Sequence, residues 1–425
     1  MNSRTPPSAA LHKRLLPLYF ATFLQGIWLW VPVEKLFMNE IGFDAAAVGL
    51  MAAVYAAVPP LAEFPSGILA DRWSRRGVLV VASFAAMASV LVGGLSTNVP
   101  TYFISALFLG IYFAMRSGTL EAVVYDTVLE MTGGSEQFET KVGRVRVIES
   151  AALVSSALVG GLLASATTIR LTYFLTIPFT ALSVVALLRF KEPRLHESDD
   201  KTTLRDHLQV TVKTLTRRGQ VRAVIALAVL TSLLMTTIFE FGPLWLVALG
   251  AAAAVYGPHW AGLMSTFGLG GMLAGRLHFD RVTTVLPVSG AVLLSSLALT
   301  TSRSIIVVTL AQIVLVLLMV AVSIHITRLL HDAVPSTIRA GVASGVSAVS
   351  WMVFLPFAVG FGFIGQRYGV HAAGWMLVGV ALVASGLMLR VTRRGRSLVA
   401  VDPPGLPEPA ATPSSAGAAV AEAAA

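Results

Sequence analysis

The chain is cut into about twelve apolar stretches long enough to cross a bilayer, and this pattern limits its fold more than any other feature. A hydrocarbon core about 30 Å thick takes roughly 20 apolar residues of helix. Such stretches cover residues 15–38, 46–70, 77–97, 101–125, 143–166, 169–190, 222–247, 257–277, 282–300, 304–328, 340–364 and 371–391. Backbone polar groups in hydrocarbon must be satisfied within their own segment, so each stretch is expected to be a helix. Hydrophobic residues fill 56% of the 425 positions and charged residues 12%, against about 25% charged in a soluble domain. A soluble globular fold is excluded. The expected class is an all-α membrane protein with about twelve transmembrane helices.

The net charge of +9 suggests nucleic acid or anionic lipid, but its distribution reads as topology. With the N-terminus inside, Lys35, Arg170, Arg303 and Arg367 are the outer basic residues and Arg116 lies within a span. All the others of the 31 Lys and Arg fall on the inner side. Basic residues are retained on the cytoplasmic face. A multi-pass protein of the cell inner membrane with both termini cytoplasmic is therefore expected, without nucleic acid as a partner. The absence of cysteine excludes disulfides, thiol catalysis and cysteine metal sites. Basic residues precede the first apolar stretch, as in a signal peptide. That stretch is too long for an h-region and has no clear cleavage site, so it reads as a retained first helix.

The spans divide equally around a polar segment. The expected order is a cytoplasmic tail at 1–14, a helical bundle at 15–190, a cytoplasmic loop at 191–221, a second bundle at 222–392 and a disordered cytoplasmic tail at 393–425. In the loop, Leu204, Leu208, Val212 and Leu215 recur at helical spacing among Arg205, Lys213 and Arg217. An amphipathic helix on the inner leaflet and a solvated linker both fit that pattern. The segment GMLAGR at 271–276 repeats GILADR at 67–72, with Gly275 in place of the aspartate.

The segment GILADRWSRRG at 67–77 resembles the signature loop of the major facilitator superfamily. Gly67, Leu69, Ala70, Asp71, Arg72, Arg75 and Arg76 match its pattern, while Ser74 stands where the family usually has glycine. The run Arg116-Ser117-Gly118-Thr119-Leu120-Glu121-Ala122 with Tyr125-Asp126 is similar to the fourth helix of a bacterial subgroup. The run from Val334 to Gly341 is similar to that subgroup's C-half signature. Gly160-Gly161 is similar to the antiporter glycine motif, without the usual preceding proline. The resemblance covers residues 14–392. It implies two pseudo-symmetric six-helix bundles around a cavity that opens alternately to each side, lined by helices 1, 4, 7 and 10. Helices 3, 6, 9 and 12 would face lipid, and within them Val78–Thr97, Leu171–Leu188, Val282–Thr300 and Ala372–Leu389 contain no Asp, Glu, Lys, Arg or His, as the cost of a charge in lipid requires.

The resemblance also implies that the signature loop clamps the bundles on the cytoplasmic side. Gly67, Asp71, Arg72, Arg75, Arg76, Asp126 and Arg339 are the expected gate. Asp71 would cap a helix start near Arg339, and Arg72 or Arg76 would pair with Asp126.

Inside the spans the ionisable residues are Glu63, Arg116, Glu121, Glu149, Glu240 and His325. Each needs a partner, water or a function, because a charge at the bilayer centre costs about 2.5–3.5 kcal/mol on insertion scales. Helix rise puts Arg116 about 15 Å deep and Glu121, Glu149 and Glu63 about 7–10 Å deep. Arg116 and Glu121, five residues apart, point about 140° away from each other. Arg116 is therefore expected to pair across helices, with Glu149 first and Glu63 second. These groups are candidates for a proton-linked network or for a fixed structural pair. Glu240 could face the cavity from the second bundle, and His325 could titrate or bond a neighbouring helix. Glu34 and Lys35 read as an outer interfacial pair. Gln25, Trp28 and Tyr112 are the preferred cavity walls, with Trp30, Phe113, Trp245 and Trp351 as further aromatic candidates.

No metalloprotease, nucleotide-binding or serine-triad pattern appears, so an enzyme is not expected, nor a cofactor. The leading expectation is a monomeric secondary transporter that exports a small organic molecule by proton antiport. Uptake by symport or facilitated diffusion is the alternative within transport. A non-transporting sensor or scaffold is the alternative outside it.

Overall fold

A computed structural model describes residues 7–72, 74–116, 119–134, 137–193, 219–333 and 339–394. The side chains of 7–9, 59–60, 62–72, 139, 219–221, 331–333, 339–344 and 394 are outside the described set. Fourteen α-helices and one short 3-10 turn carry all regular structure among the described residues.

The N-terminal half holds α1 (Pro7–Gln25), a 3-10 turn (Val31–Val33), α2 (Glu34–Glu40), α3 (Ala45–Arg72), α4 (Arg75–Leu95), α5 (Val99–Arg116), α6 (Thr119–Thr132), α7 (Phe138–Ala166) and α8 (Ile169–Arg189). The C-terminal half holds α9 (Gly219–Ala248), α10 (Ala253–Ala274), α11 (Val282–Thr301), α12 (Ile305–Ala333), α13 (Arg339–Tyr368) and α14 (Val370–Arg394). Nine spans among the described residues are long and apolar enough to cross a membrane, with α5 and α6 joined as one. The other three expected spans are helical with visible exceptions. The first breaks after Gln25, before the turn that holds Pro32. The second, α3, is helical over Ala45–Arg72, with side chains described continuously over Ala45–Val58. The eighth, α10, is diluted by glycines, Pro258 and His259.

Helix ends follow local chemistry. Ser74 accepts a 2.8 Å hydrogen bond from the Gly77 amide and starts α4. Gly369, at φ 87°, turns the chain between α13 and α14 in a conformation that a side chain disfavours.

Within the N-terminal half α4 packs on α5 and α8, and α1 packs on α8. Within the C-terminal half α12 packs on α9 and α10, and α11 on α14. The most extensive packing between the halves is α3 on α13 and α7 on α10, and α9 also meets α2 and α3 while α10 meets the 3-10 turn. The helices α4, α8, α11 and α14, whose charged residues lie only near their ends, expose large apolar side chains such as Phe84, Leu182, Leu294 and Leu382. Apolar surface on this scale calls for a hydrocarbon environment.

The end of the molecule bearing Arg75 and Arg76 is here termed the loop face. At the other end the halves meet backbone to backbone. A Cβ on Gly49 would lie 2.9 Å from the Gly362 Cα, and one on Gly161 would lie 2.7 Å from the Gly257 Cα. The Ala45 amide also donates to Gln366 Oε1 at 3.3 Å. Small residues let membrane helices approach this closely, so the face opposite the loops is sealed.

Candidate functional site: a carboxylate cavity between the halves

Behind that seal lies a cavity of about 310 Å³ with walls from both halves. Its N-terminal wall is aromatic. The Trp28 ring stands 5.4 Å from Tyr112 and stacks on Phe113 at 6.0 Å, and Tyr55 meets Phe113 edge-on. The Trp28 indole N–H donates to the Gln25 carbonyl, which orients the ring. Gln25 Nε2 donates to Ser83 Oγ at 2.8 Å and is thereby tied to α4. All three preferred wall residues, Gln25, Trp28 and Tyr112, line this cavity. The C-terminal wall brings Phe239, Trp260, Met264 and Phe267, which sequence reasoning did not single out. A helical aromatic gives no sign in the sequence of whether it packs or lines a space.

Three carboxylates reach the cavity: Glu34, Glu149 and Glu240. Each is held by a cation. Arg116 Nη1 sits 3.0 Å from Glu149 Oε1, the pairing that helix geometry favoured. Arg116 closes α5, where helix-end carbonyls favour a positive charge. Arg116 Nε is buried and finds no hydrogen-bond partner among the described residues. Lys35 Nζ lies 3.1 Å from Glu34 and 3.6 Å from Glu240. Tyr102 donates its hydroxyl to Glu34 Oε1 at 3.0 Å and shares a 2.8 Å bond with Tyr173.

Several expectations change. Glu34 and Lys35 are not a plain interfacial pair, because the Lys35 side chain is 3% exposed and bridges the two halves. The signal was available in the sequence as a lysine following the first span with a carboxylate on each side of the future interface. Only the fold shows that they converge. Glu121 does not join the cavity. Its side chain is 49% exposed and pairs with Arg146 at 2.5 Å, and it is not among the residues that line the cavity. Arg146 also reaches Glu149 at 3.4 Å. His325 lies against Phe279 with ring centroids 5.3 Å apart, outside the cavity lining. Trp245 is fully buried and donates to the Leu299 carbonyl at 2.7 Å, so it packs rather than lines. The side chains of Glu63, Gly67, Asp71, Arg72 and Arg339 lie outside the described residues, as do the central-loop helix and the C-terminal tail.

At the loop face Asp126 pairs with Arg75, not Arg76. Successive residues on a helix point about 100° apart. With α4 starting at Arg75, that residue turns to α6 while Arg76 Nη1 donates to the Phe190 carbonyl at the end of α8, at 3.3 Å. Glu192 accepts from the Arg76 amide at 3.1 Å and from Ser74 Oγ at 2.6 Å. A carboxylate at a helix N-terminus is electrostatically favoured. These described contacts brace α4, α6 and α8 within one half.

A second cavity, about 510 Å³, is lined among the described residues by the C-terminal half alone. Its walls include Ser232, Thr236, Ser323, Thr327, Ser347, Ser350 and Trp351. Phe239 and Phe267 border both cavities. Their rings are stacked at 5.5 Å and nearly parallel, and form a partition. No cluster of metal-ligating side chains occurs among the described residues.

Residues 15–360 match the family model described as Major Facilitator Superfamily. Multidrug resistance protein 1 of Bacillus subtilis (strain 168) is 28% identical over 180 residues. That match covers 42% of this chain and 44% of the relative, so the chain spans less than half the length of that relative. Among solved structures, the nucleoside transporter NupG aligns with TM-score 0.72 at 14% identity, over 90% of this chain and 98% of that one. A bacterial homologue of the human lysosomal transporter Spinster, inward-facing and occupied, aligns with TM-score 0.73 at 13% identity, over 92% and 98%. A D-xylose-proton symporter aligns with TM-score 0.64 at 14% identity, over 88% and 97%. At these identities the likeness is one of fold.

Proposed function

The chain belongs to the Major Facilitator Superfamily, and from that premise we propose that it exports a small aromatic organic cation across the cell membrane in exchange for protons. As a member it is an integral membrane transporter of small molecules and not an enzyme. The observation that carries the finer reading is the cavity itself. An aromatic wall offers a face to a cation. The three lining carboxylates, with Glu121 beside them, number one more than their partners Lys35, Arg116 and Arg146, which leaves a net negative charge in this network among the described groups. A monovalent organic cation fits that balance. Protons fit it too, because a carboxylate that releases a cation can take a proton in its place. The name of the Bacillus relative supports efflux. The basic loop face is assigned to the cytoplasm on the charge bias of the sequence. The sealed opposite face then corresponds to a cavity closed to the outside.

The test uses inverted membrane vesicles carrying the full-length protein, an imposed pH gradient and ethidium as the probe. Gradient-driven ethidium uptake is expected, with loss in Glu149→Gln. Gradient-independent flux, or full activity in that variant, would refute proton coupling. Accumulation in intact cells would favour uptake, a direction that a proton symporter of the same fold shows is open to this architecture.

A further inference from the structure

We propose that Lys35 is a tethered cation that occupies Glu240 in place of the transported one, and that its displacement unlocks the sealed face. The proposal rests on the cation-transport reading above and adds what opens the opposite side.

Lys35 is buried, and its ammonium is shared between a carboxylate of each half. Glu34 is anchored in the N-terminal half by the Tyr102 hydroxyl, itself bonded to Tyr173. Lys35 follows Glu34 directly in the chain, so that contact is local and will persist. Glu240 belongs to α9 in the other half. The Lys35–Glu240 contact, at 3.6 Å, is the longer of the two. It is also the one salt bridge between the halves among the described residues, since every other one joins N-terminal residues. The remaining seal includes the glycine contacts, the Ala45–Gln366 hydrogen bond and the packing of α9 on α2, none of them charged.

Glu240 has two sides. One meets Lys35. The other lines the cavity, where its side chain keeps 22% exposure. A cation arriving in the cavity therefore reaches Glu240 without first moving the lysine. Once the carboxylate is satisfied from the cavity side, Lys35 falls back on Glu34 and the charged tie between the halves is gone. An empty cavity keeps the tie and the seal. Such a device makes opening conditional on cargo, because only the displaced state differs in contacts between the two conformations. It also favours cationic cargo, since a neutral molecule cannot take the place of the ammonium.

The chain has no cysteine, so Thr97→Cys and Ser304→Cys place a spin-label pair on the sealed face, one in each half. Distances are read by double electron–electron resonance in lipid nanodiscs, with and without tetraphenylphosphonium, and binding of that probe is measured separately. The native sequence should show a short distance that lengthens with the probe. Lys35→Met should show the longer distance without any probe, because the charged tie between the halves is gone. It should also bind the probe about tenfold tighter, through loss of the competing closed state. Lys35→Arg should restore the short distance, whereas Lys35→Met combined with Glu240→Gln, which lacks both the tie and the carboxylate for cargo, should keep the longer one. The combined variant should no longer respond to the probe. An unchanged short distance in Lys35→Met would overturn the latch. A native distance unmoved by bound probe would overturn displacement. Neither readout needs a proton gradient, so failure of gradient-driven export in vesicles with the latch intact would count against the transport reading alone.

Discussion

The Arg116–Glu149 pair offers a quantitative test of the site. The charged atoms are 3.0 Å apart and both side chains are largely buried, at 12% and 20% exposure. Coulomb's law with an effective dielectric of 20 gives a gross attraction of about 5–6 kcal/mol at that distance. Desolvation offsets much of it, so the pair as a whole contributes little net stability. Removing one partner is different, because it leaves the other charge buried and uncompensated, at a cost of about 3–5 kcal/mol. Glu149→Gln should lie at the low end, since the glutamine still accepts a hydrogen bond, and about 3 kcal/mol is expected. Arg116→Met should cost somewhat less, because Arg146 remains 3.4 Å from the orphaned carboxylate. The double variant should be more stable than Glu149→Gln alone, with a coupling of about 2 kcal/mol in the cycle. Unfolding in mild detergent, followed by tryptophan fluorescence against denaturant, measures all four proteins. Strict additivity of the two single losses would refute the pairing.

Other expectations follow from single contacts. Ser74→Ala removes the cap on α4 and should cost about 1 kcal/mol in the same unfolding assay. Gly49→Val puts side-chain atoms where a Cβ already lies 2.6 Å from the Ala358 carbonyl oxygen; the Thr97→Cys/Ser304→Cys spin-label distance should lengthen as the seal is wedged. Phe239→Ala opens the partition between the cavities; cations too bulky for about 310 Å³ should then bind, as read by competition against ethidium.

Much of the architecture was legible because hydrocarbon imposes one rule on every segment. The family resemblance implied that α4, α8, α11 and α14 face lipid, and the charge-free stretches within them agreed with it. Arg116 with Glu149 was legible as well, since helix rise and the angle between positions left few partners. Lys35 was not. Its role depends on Glu240, some two hundred residues away, and on a break after Gln25 that carries it inward. Glu121 stays outside the cavity because Arg146, one turn before Glu149 on α7, takes its carboxylate, a partner that depth alone does not reveal. Arg75 and Arg76 are adjacent and chemically equal. Only the start of α4, fixed by Ser74, decides which of them meets Asp126.

The glycine seams on the sealed face bear on how this molecule can evolve. Where Gly49 meets Gly362 and Gly161 meets Gly257, each half presents bare backbone to the other. No side chains interlock there, so parting the surfaces requires no rotamer to change, and re-forming them requires no search for one. Friction between the halves is low for the same reason. The cavity walls are made by residues such as Trp28, Tyr112 and Glu240, away from the seams. A lineage can therefore replace what it carries without disturbing the surfaces on which the halves part. Even one added methyl group on a seam acts as a shim that holds them apart.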